Sequence, residues 1–384
     1  MFNFSYQNPT RIVFGKDQLS QLRKLIPTGA KVLLTYGGGS IKHNGVYQQV
    51  IDALKGFDWQ EFSGIEPNPS FETLMRAADV VRREKIDFLL AVGGGSVIDG
   101  TKFIAAAAVF EGDAWDILAK GAKITTAVPL GCVLTLPATG TESNGNSVVT
   151  RYETQQKLSF SSSLVYPTFA VLDPTVTYSL PPKQVANGVV DAFVHVMEQY
   201  MTYPVNAPVQ DRFAEGLLQT LIEEGPKALS NPQDYGVRAN VMWAATMALN
   251  GLIGQGVPQD WATHMIGHEI TALYGLDHAQ TLAIVLPSLL QQQRSSKREK
   301  LLQYGRRVWN LQHQDEERLI DEAINHTRAF FEQMGVPTRL ADYGIKADAV
   351  DKLVKALETN GMLKLGEHGD ITIDVSRQIL QRAV

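Results

Sequence analysis

The hydrophobic pattern of this chain changes at the Pro181-Pro182 pair, and that change limits the folds open to it. Before the pair, short apolar runs alternate with stretches of helical period. Such alternation predicts βαβ units, and therefore an α/β domain with a parallel sheet. After the pair, helical periods follow one another with few β-branched clusters, which predicts an all-helical domain. We therefore expect two domains, at residues 1–182 and 183–384.

The individual elements follow from the period of each run. In the first half, strands are predicted at 31–36, 87–92, 123–130, 132–137, 147–150 and 169–173, with helices at 44–55, 70–85 and 96–110. In the second half, helices are predicted at 183–202, 206–223, 235–254, 258–273, 278–293, 315–334 and 347–359.

Composition excludes several classes of function. With a net charge of −5 and no block of Lys and Arg, the chain lacks a basic surface, so we expect no nucleic-acid partner. No apolar stretch reaches the ~18 residues of a membrane span, so no membrane partner is expected. The N-terminus lacks the pattern of a signal peptide. The single cysteine, Cys132, excludes an internal disulfide, and the expected location is the cytoplasm.

Residues of metal-ligand type fall at helical spacings in the second half. They are Asp191, His195, His264, His268 and His278. Residues four apart project from one helical face, about 6 Å apart along the axis, so each i,i+4 pair can reach one cation. His278 follows a glycine break and could close the shell. Imidazoles with a carboxylate suit zinc or ferrous iron with one position open for substrate. The spacing alone leaves all five side chains as candidate ligands.

A glycine-rich turn follows a predicted strand in DFLLAVGGGSVIDGTK. Glycines let the backbone approach an anion, and the N-terminus of the next helix stabilises negative charge. Gly94, Gly95 and Ser96 are therefore candidates for binding phosphate, although the same glycines would serve a tight turn that binds nothing. Asp99 could accept hydrogen bonds from ribose or amide donors. Lys102 could meet phosphate or pair with Asp99.

A similar GGGS follows the strand at 31–36 and bears on the choice of dinucleotide. Enzymes that select NAD often place a carboxylate near such a turn to hold the adenosine 2′-hydroxyl. Between Lys31 and Gly45 there is no Asp or Glu, whereas Ser40 and Lys42 could accept a 2′-phosphate. This pattern favours NADP over NAD.

The segment LTLPATGTESN forms a polar loop around Gly140. Its side chains could hold the pyrophosphate and the nicotinamide amide of a bound dinucleotide, or could serve only as a turn. The polar residues of this loop are Thr135, Thr139, Thr141, Ser143 and Asn144.

These motifs occur together in a known family. In order and spacing, GGGSVIDGTK, LPATGTESN, VVDAFVHVMEQY and THMIGHEITALYGLDHAQ resemble the iron-containing, or group III, alcohol dehydrogenases over essentially the whole chain. YGGGSIK, GIEPNPS and VPQDWATHMIGHE look like the bacterial branch of NADPH-dependent, broad-range aldehyde reductases and butanol dehydrogenases. The resemblance implies an α/β N-terminal dinucleotide-binding domain and an all-α C-terminal metal-binding domain, an architecture like that of dehydroquinate synthase.

The resemblance also implies roles for individual residues. The metal ligands fall on Asp191, His195, His264 and His278, whereas His268 falls on a histidine that lines the site near the nicotinamide. Cofactor contacts fall on Gly94, Gly95, Ser96, Asp99, Thr135, Thr139, Asn144 and Lys157, with the 2′-phosphate pocket on Gly37, Gly38 and Ser40. Val176 stands where relatives often have Tyr, so no role is assigned to it. The expected ion is one divalent metal, zinc or iron.

The activity implied is the reversible reduction of aldehydes to primary alcohols with NADPH, in which the metal acts as Lewis acid on the carbonyl oxygen. His268 would help to supply the proton. The expected partners are a small aldehyde or alcohol and a second copy of the chain in a homodimer. Two alternatives stay open. One is a metal- and NAD-using lyase of the dehydroquinate synthase type, and the other is a non-catalytic metal-binding protein whose glycine loops are only turns.

Overall fold

The computed structural model describes all 384 residues, and the chain divides into two compact units. The α/β unit comprises Gln7–Leu180 and Gln233–Met242. The helical unit comprises Met1–Tyr6, Pro181–Pro232 and Trp243–Val384. None of the helices is both long and apolar enough to cross a lipid bilayer.

The α/β unit is built on a six-stranded sheet in which all neighbouring strands are parallel. The strands of the whole unit are β1 (Arg11–Phe14), β2 (Lys31–Tyr36), β3 (Asp58–Phe62), β4 (Phe88–Gly94), β5 (Leu130–Leu136), β6 (Asn146–Arg151), β7 (Gln156–Ser161) and β8 (Phe169–Leu172). Its helices are α1 (Leu22–Leu25), α2 (Val46–Ala53), α3 (Phe71–Glu84), α4 (Gly95–Ala107) and α5 (Asp116–Ala119). The sheet order is β1-β8-β5-β4-β2-β3, and β6 and β7 pair separately as an antiparallel hairpin.

The central strands are buried on both faces, which is why they appear in the sequence as unbroken apolar runs. Along β4 the side chains alternate between two hydrophobic cores, since successive residues of a strand point to opposite faces. Leu89 and Ala91 pack with α3 and α4. Phe88, Leu90 and Val92 pack with α1 and α2. The predicted parallel sheet is confirmed.

The three polar loops considered above all begin at one edge of this sheet. Strands β2, β4 and β5 are neighbours and run parallel, so their carboxyl ends meet at the same edge. The loops that follow them contain residues 37–40, 94–96 and 137–144. Ligands of open parallel sheets bind at this edge, so the loops stand where a dinucleotide is expected.

Some predicted elements differ from the observed ones. The strand predicted at 123–130 is wrong for residues 123–129, which have no regular structure. There the N–H of Val128 donates to the carbonyl of Ala105 in α4, and Pro129 has no N–H to give to a strand ladder. Strands β1, β3 and β7 were not predicted, because each is only four to six residues long and has no more than three apolar residues.

The candidate metal ligands all lie in the helical unit. Its helices are α6 (Pro182–Tyr200), α7 (Pro208–Ser230), α9 (Ala262–Tyr274), α10 (His278–Gln292), α11 (Arg298–Arg307), α12 (Glu316–Gln333), α13 (Ala349–Thr359) and α14 (Ile373–Arg382), while α8 (Tyr235–Ala248) has residues in both units. A short ribbon of β9 (Lys364–Leu365) and β10 (Ile371–Thr372) precedes α14, and together with α11 and α14 it was not predicted.

Candidate metal centre and cofactor loops

Helix α6 supplies the first part of the metal centre. It begins at Pro182, whose fixed φ and missing N–H suit the first helical turn. Asp191, His195 and Glu198 are spaced i, i+4 and i+7, so their side chains share one helical face. All three are buried, and an apolar helix with three polar groups on one buried face indicates a binding site.

Helices α9 and α10 supply the remaining histidines, and a glycine allows them to approach each other. Helix α9 carries His264 and ends at Gly275, whose φ of 70° is the left-handed conformation that glycine adopts readily. Helix α10 begins at His278. A Cβ at Gly267 in the middle of α9 would lie 2.9 Å from Oγ1 of Thr281 in α10. Glycine at this position therefore lets the two helices pack closely.

The start of α10 is also tied to α6. Asp277, the residue before His278, accepts a hydrogen bond from Nδ2 of Asn187 at 3.0 Å and forms an ion pair with Lys183 at 2.7 Å. Asp277 also forms a capping box with Gln280 that satisfies the first backbone N–H groups of α10. These contacts fix the position of His278 relative to α6.

Four ligand-type side chains converge in the helical unit. The ligand atoms of Asp191, His195, His264 and His278 all lie within 4.8 Å of one another. Nε2 of His264 is 3.0 Å from Nε2 of His195, and Nε2 of His278 is 3.7 Å from Oδ1 of Asp191. Ligand atoms bound to one tetrahedral ion at about 2.1 Å lie roughly 3.4 Å apart. The four donors therefore fit one divalent cation.

The environment of His195 favours the form of imidazole that binds metal. Burial is the largest influence and the neighbouring His264 the next, and together they hold the pKa of His195 well below its usual range. The ring is therefore neutral at physiological pH, and only neutral imidazole offers a lone pair to a cation.

Glu198 orients His264 from behind. Its carboxylate accepts a hydrogen bond from Nδ1 of His264, and Oε1 accepts the backbone N–H of the same residue at 3.0 Å. The proton is thereby held on Nδ1, which leaves the Nε2 lone pair directed toward His195. Burial, followed by the nearby Asp260 carboxylate, raises the pKa of Glu198 well above its usual range, whereas the His264 backbone N–H and the Lys297 ammonium oppose that rise.

His268 lies beside the ligand cluster and outside it. Its ring centroid is 5.5 Å from that of His278 and 6.2 Å from that of His264. The group of ligand atoms within 4.8 Å does not include His268, so the structure separates two histidines that the i,i+4 spacing left equivalent. A buried imidazole at this distance can exchange a proton with a molecule bound at the cluster.

We expect Glu198→Gln to weaken metal binding by about 10- to 100-fold, because the amide has only one oxygen to accept the two N–H groups of His264 that the carboxyl group accepts with two. Competition with a chromogenic chelator would measure the dissociation constant. Glu269→Gln is the matched control, since Glu269 is also a buried carboxyl in the helical unit and accepts a hydrogen bond from Asn360. Equal metal affinity in the two variants would contradict the role of Glu198.

In the α/β unit, the turn between β4 and α4 lies against the loop after β5. Gly94 ends β4, and Gly95 and Ser96 begin α4, where backbone N–H groups lack partners within the helix. A Cβ on Gly95 would lie 2.7 Å from Oγ1 of Thr139, closer than real Cβ atoms come to other atoms. Glycine is therefore required for these two loops to lie together at the carboxyl edge of the sheet.

Asp99, Lys102 and Asn144 fix the loop after β5. Oδ1 of Asp99 accepts the Thr141 hydroxyl, and Oδ2 accepts the N–H of Val148 at 3.0 Å. The ammonium of Lys102 is fully buried and donates to Thr141 at 2.6 Å and to Asn144 at 3.0 Å. Burial lowers the pKa of Lys102 to about 8, against the opposing effect of Asp99. Lys102 therefore holds the loop in place. The sequence had left open that its ammonium binds phosphate, but the buried ammonium is already used by these contacts.

The remaining predicted cofactor residues lie in three places. Thr135 is buried in β5 and precedes the same loop. Lys157 lies on the β6–β7 hairpin, where its ammonium donates to Oδ1 of Asn68 at 2.9 Å. Gly37, Gly38 and Ser40 follow β2, and the turn contains Gly39 with a φ of 97°, a conformation that favours glycine.

An acidic residue beside the turn after β2 was missed from the sequence. Glu61 in the edge strand β3 lies opposite Leu34 of β2, and its Oε1 is 3.5 Å from Nζ of Lys42. Although residues 31–45 contain no Asp or Glu, the fold places a carboxylate from β3 next to them. Glu61 could have been found if residues 58–62 had been predicted as a strand parallel to β2, because that pairing places Glu61 beside the end of β2.

The chain matches models of one family over most of its length. Residues 9–174 match the iron-containing alcohol dehydrogenase model, and residues 185–380 match the C-terminal model of the Fe-containing alcohol dehydrogenase family. The NADPH-dependent aldehyde reductase YqhD of Escherichia coli (strain K12) is 63% identical over 386 residues, covering 100% of both chains. The probable NADH-dependent butanol dehydrogenase 1 of Bacillus subtilis (strain 168) is 43% identical over 366 residues, covering 94% of this chain and 95% of the relative.

A solved structure is similar throughout. The crystal structure of E. coli K-12 YqhD superimposes on this chain with a TM-score of 0.99 at 62% identity, covering 100% of this chain and 99% of that one.

Proposed function

This chain belongs to the iron-containing alcohol dehydrogenase family, and from that membership we propose that it reduces aldehydes to primary alcohols with NADPH at a divalent metal ion. The observation that carries the proposal is the convergence of one carboxylate and three imidazoles within 4.8 Å. The reaction is reversible in principle, because the hydride passes between the cofactor and the carbon that bears the substrate oxygen.

The metal ligands in this proposal are Asp191, His195, His264 and His278, and the ion is zinc or ferrous iron. A divalent ion at this site supplies Lewis acidity toward the aldehyde oxygen, which stabilises the charge that develops during hydride transfer by several kcal/mol. The cofactor residues are proposed to be Gly37, Gly38, Ser40, Gly94, Gly95, Ser96, Asp99, Thr135, Thr139, Asn144 and Lys157. Asp99 and Asn144 act in it by holding the loop after β5, since Asp99 accepts the Thr141 hydroxyl and Asn144 donates to the Gly140 carbonyl.

His268 is the proposed proton donor to the product oxygen. What supports this is its burial beside His278 and its place outside the ligand group. An imidazole exchanges protons near neutral pH, and its Nδ1 and Nε2 allow it to take a proton on one side and release one on the other.

The test is the rate of NADPH oxidation with butanal, measured as purified, after chelation, and after zinc or ferrous iron is added back separately. We expect activity to disappear with the metal and to return with one of the two ions, because the developing charge on oxygen then regains its stabilisation. Tight NADPH binding without activity under every metal condition would contradict the proposed reduction and favour a lyase of the dehydroquinate synthase type.

We also propose that the chain works as a homodimer in the cytoplasm. In this proposal residues 1–182 form the dinucleotide-binding domain, and residues 183–384 form the metal-binding and substrate domain. The single cysteine supports a reducing compartment, because Cys132 is buried and has no cysteine partner. The dimer rests on the family resemblance of the sequence. Light scattering of the purified protein measures the mass of the assembly directly.

A further inference from the structure

The turn after β2 lies beside an ion pair contributed by the edge strand. Nζ of Lys42 is 3.5 Å from Oε1 of Glu61, and it lies 4.7 Å and 5.1 Å from the ring centroids of Tyr47 and Tyr36. The Tyr47 hydroxyl donates to the other oxygen of Glu61 at 2.7 Å. Glu61 is thus held in place by a hydrogen bond, and the ammonium is held over two aromatic rings.

Both charged groups remain accessible at the surface of the α/β unit. The side chains of Lys42 and Glu61 are 41% and 37% exposed. An ion pair this exposed is weak, so a stronger anion can take the ammonium from the carboxylate. Lys42 stands two residues after Ser40, and a phosphate monoester bound at that turn would carry close to two negative charges.

We propose that Glu61 limits the preference of this chain for NADPH over NADH. The inference rests on the proposed function, in which Gly37, Gly38 and Ser40 receive the adenosine 2′-phosphate. For NADPH to bind, Lys42 must leave Glu61, and the phosphate comes near a carboxylate that repels it. NADH carries a hydroxyl at this position, which meets no repulsion and can donate a hydrogen bond to Glu61.

The experiment measures the dissociation constants of NADPH and NADH by fluorescence titration of the whole protein, before and after Glu61→Gln. We expect the variant to bind NADPH about threefold to tenfold more tightly, while NADH affinity stays within about twofold or falls. The gain should shrink at high ionic strength, because salt screens exposed charges.

Asp58→Asn is the matched control. Asp58 lies at the other end of β3 and pairs with Lys31 at 3.8 Å, so its variant makes the same change in net charge on the same strand. We expect both dissociation constants to stay within about twofold of wild type there.

The outcomes separate the inference from the function beneath it. A Glu61→Gln variant with an unchanged NADPH to NADH ratio, or with weaker NADPH binding, overturns the inference while wild-type aldehyde reduction still stands. The same gain in Asp58→Asn would also overturn it, since net charge alone would then explain the effect. A wild-type protein that binds neither dinucleotide overturns the inference and the proposed function together.

Discussion

Replacing His264 with Ala should remove the metal and the activity together. Nε2 of His264 is 3.0 Å from Nε2 of His195, and Nδ1 is held by Glu198, so this ring occupies the middle of the ligand cluster. Loss of one ligand of four weakens binding of the ion, and a bound ion would lower the barrier to hydride transfer by several kcal/mol. We expect kcat/KM to fall by about 100- to 1,000-fold or more, with metal content well below one ion per chain. Elemental analysis and NADPH oxidation with butanal measure the two quantities.

Two controls show whether His264→Ala acts through the metal. NADPH binding should be retained, because the candidate phosphate loops belong to the α/β unit. His326→Ala should keep both metal and activity, since that ring is stacked on Trp309 at 5.3 Å and lies outside the ligand group. If His264→Ala kept a full complement of metal, the ligand assignment would be wrong.

The sequence alone was sufficient for the parallel sheet and for most of the helices. The apolar run at 87–92 became β4 because a strand buried on both faces has no polar side to show. The pair Asp191 and His195 could be placed on one face because the period of a helix is fixed by its backbone. Such features depend on local geometry, which a single sequence carries.

Other features depended on packing between distant segments. The spacing of His264, His268 and His278 left all three as candidate metal ligands. Which of them join the ligand cluster depends on the close approach of α9 and α10 at Gly267. Glu198 was overlooked although it lies seven residues after Asp191, because acids on helices are usually solvated. Its burial against His264 is a tertiary contact, and no period in the sequence reports it.

Replacing His268 with Ala should slow turnover and leave the metal in place. The ring lies 5.5 Å from His278 and is buried, yet it does not join the four converging ligand atoms. General acid catalysis by a positioned imidazole accelerates a reaction by about 100- to 10,000-fold. We expect kcat to fall by about 100-fold, since water can replace part of this function, while metal content stays at one ion per chain. Steady-state kinetics and elemental analysis of the same sample measure both.

A control and a rescue distinguish proton transfer from simple support of the helix. Thr271→Val changes another buried side chain of α9 to one of the same shape, and the hydroxyl that is lost has no hydrogen-bond partner, so it should leave kcat within about twofold of wild type. Added imidazole should restore part of the rate of His268→Ala, because a free base can occupy the space left by the ring and carry the proton. Metal loss in His268→Ala would instead identify His268 as a ligand. Full metal with unchanged kcat would leave the proton to solvent and remove His268 from the mechanism.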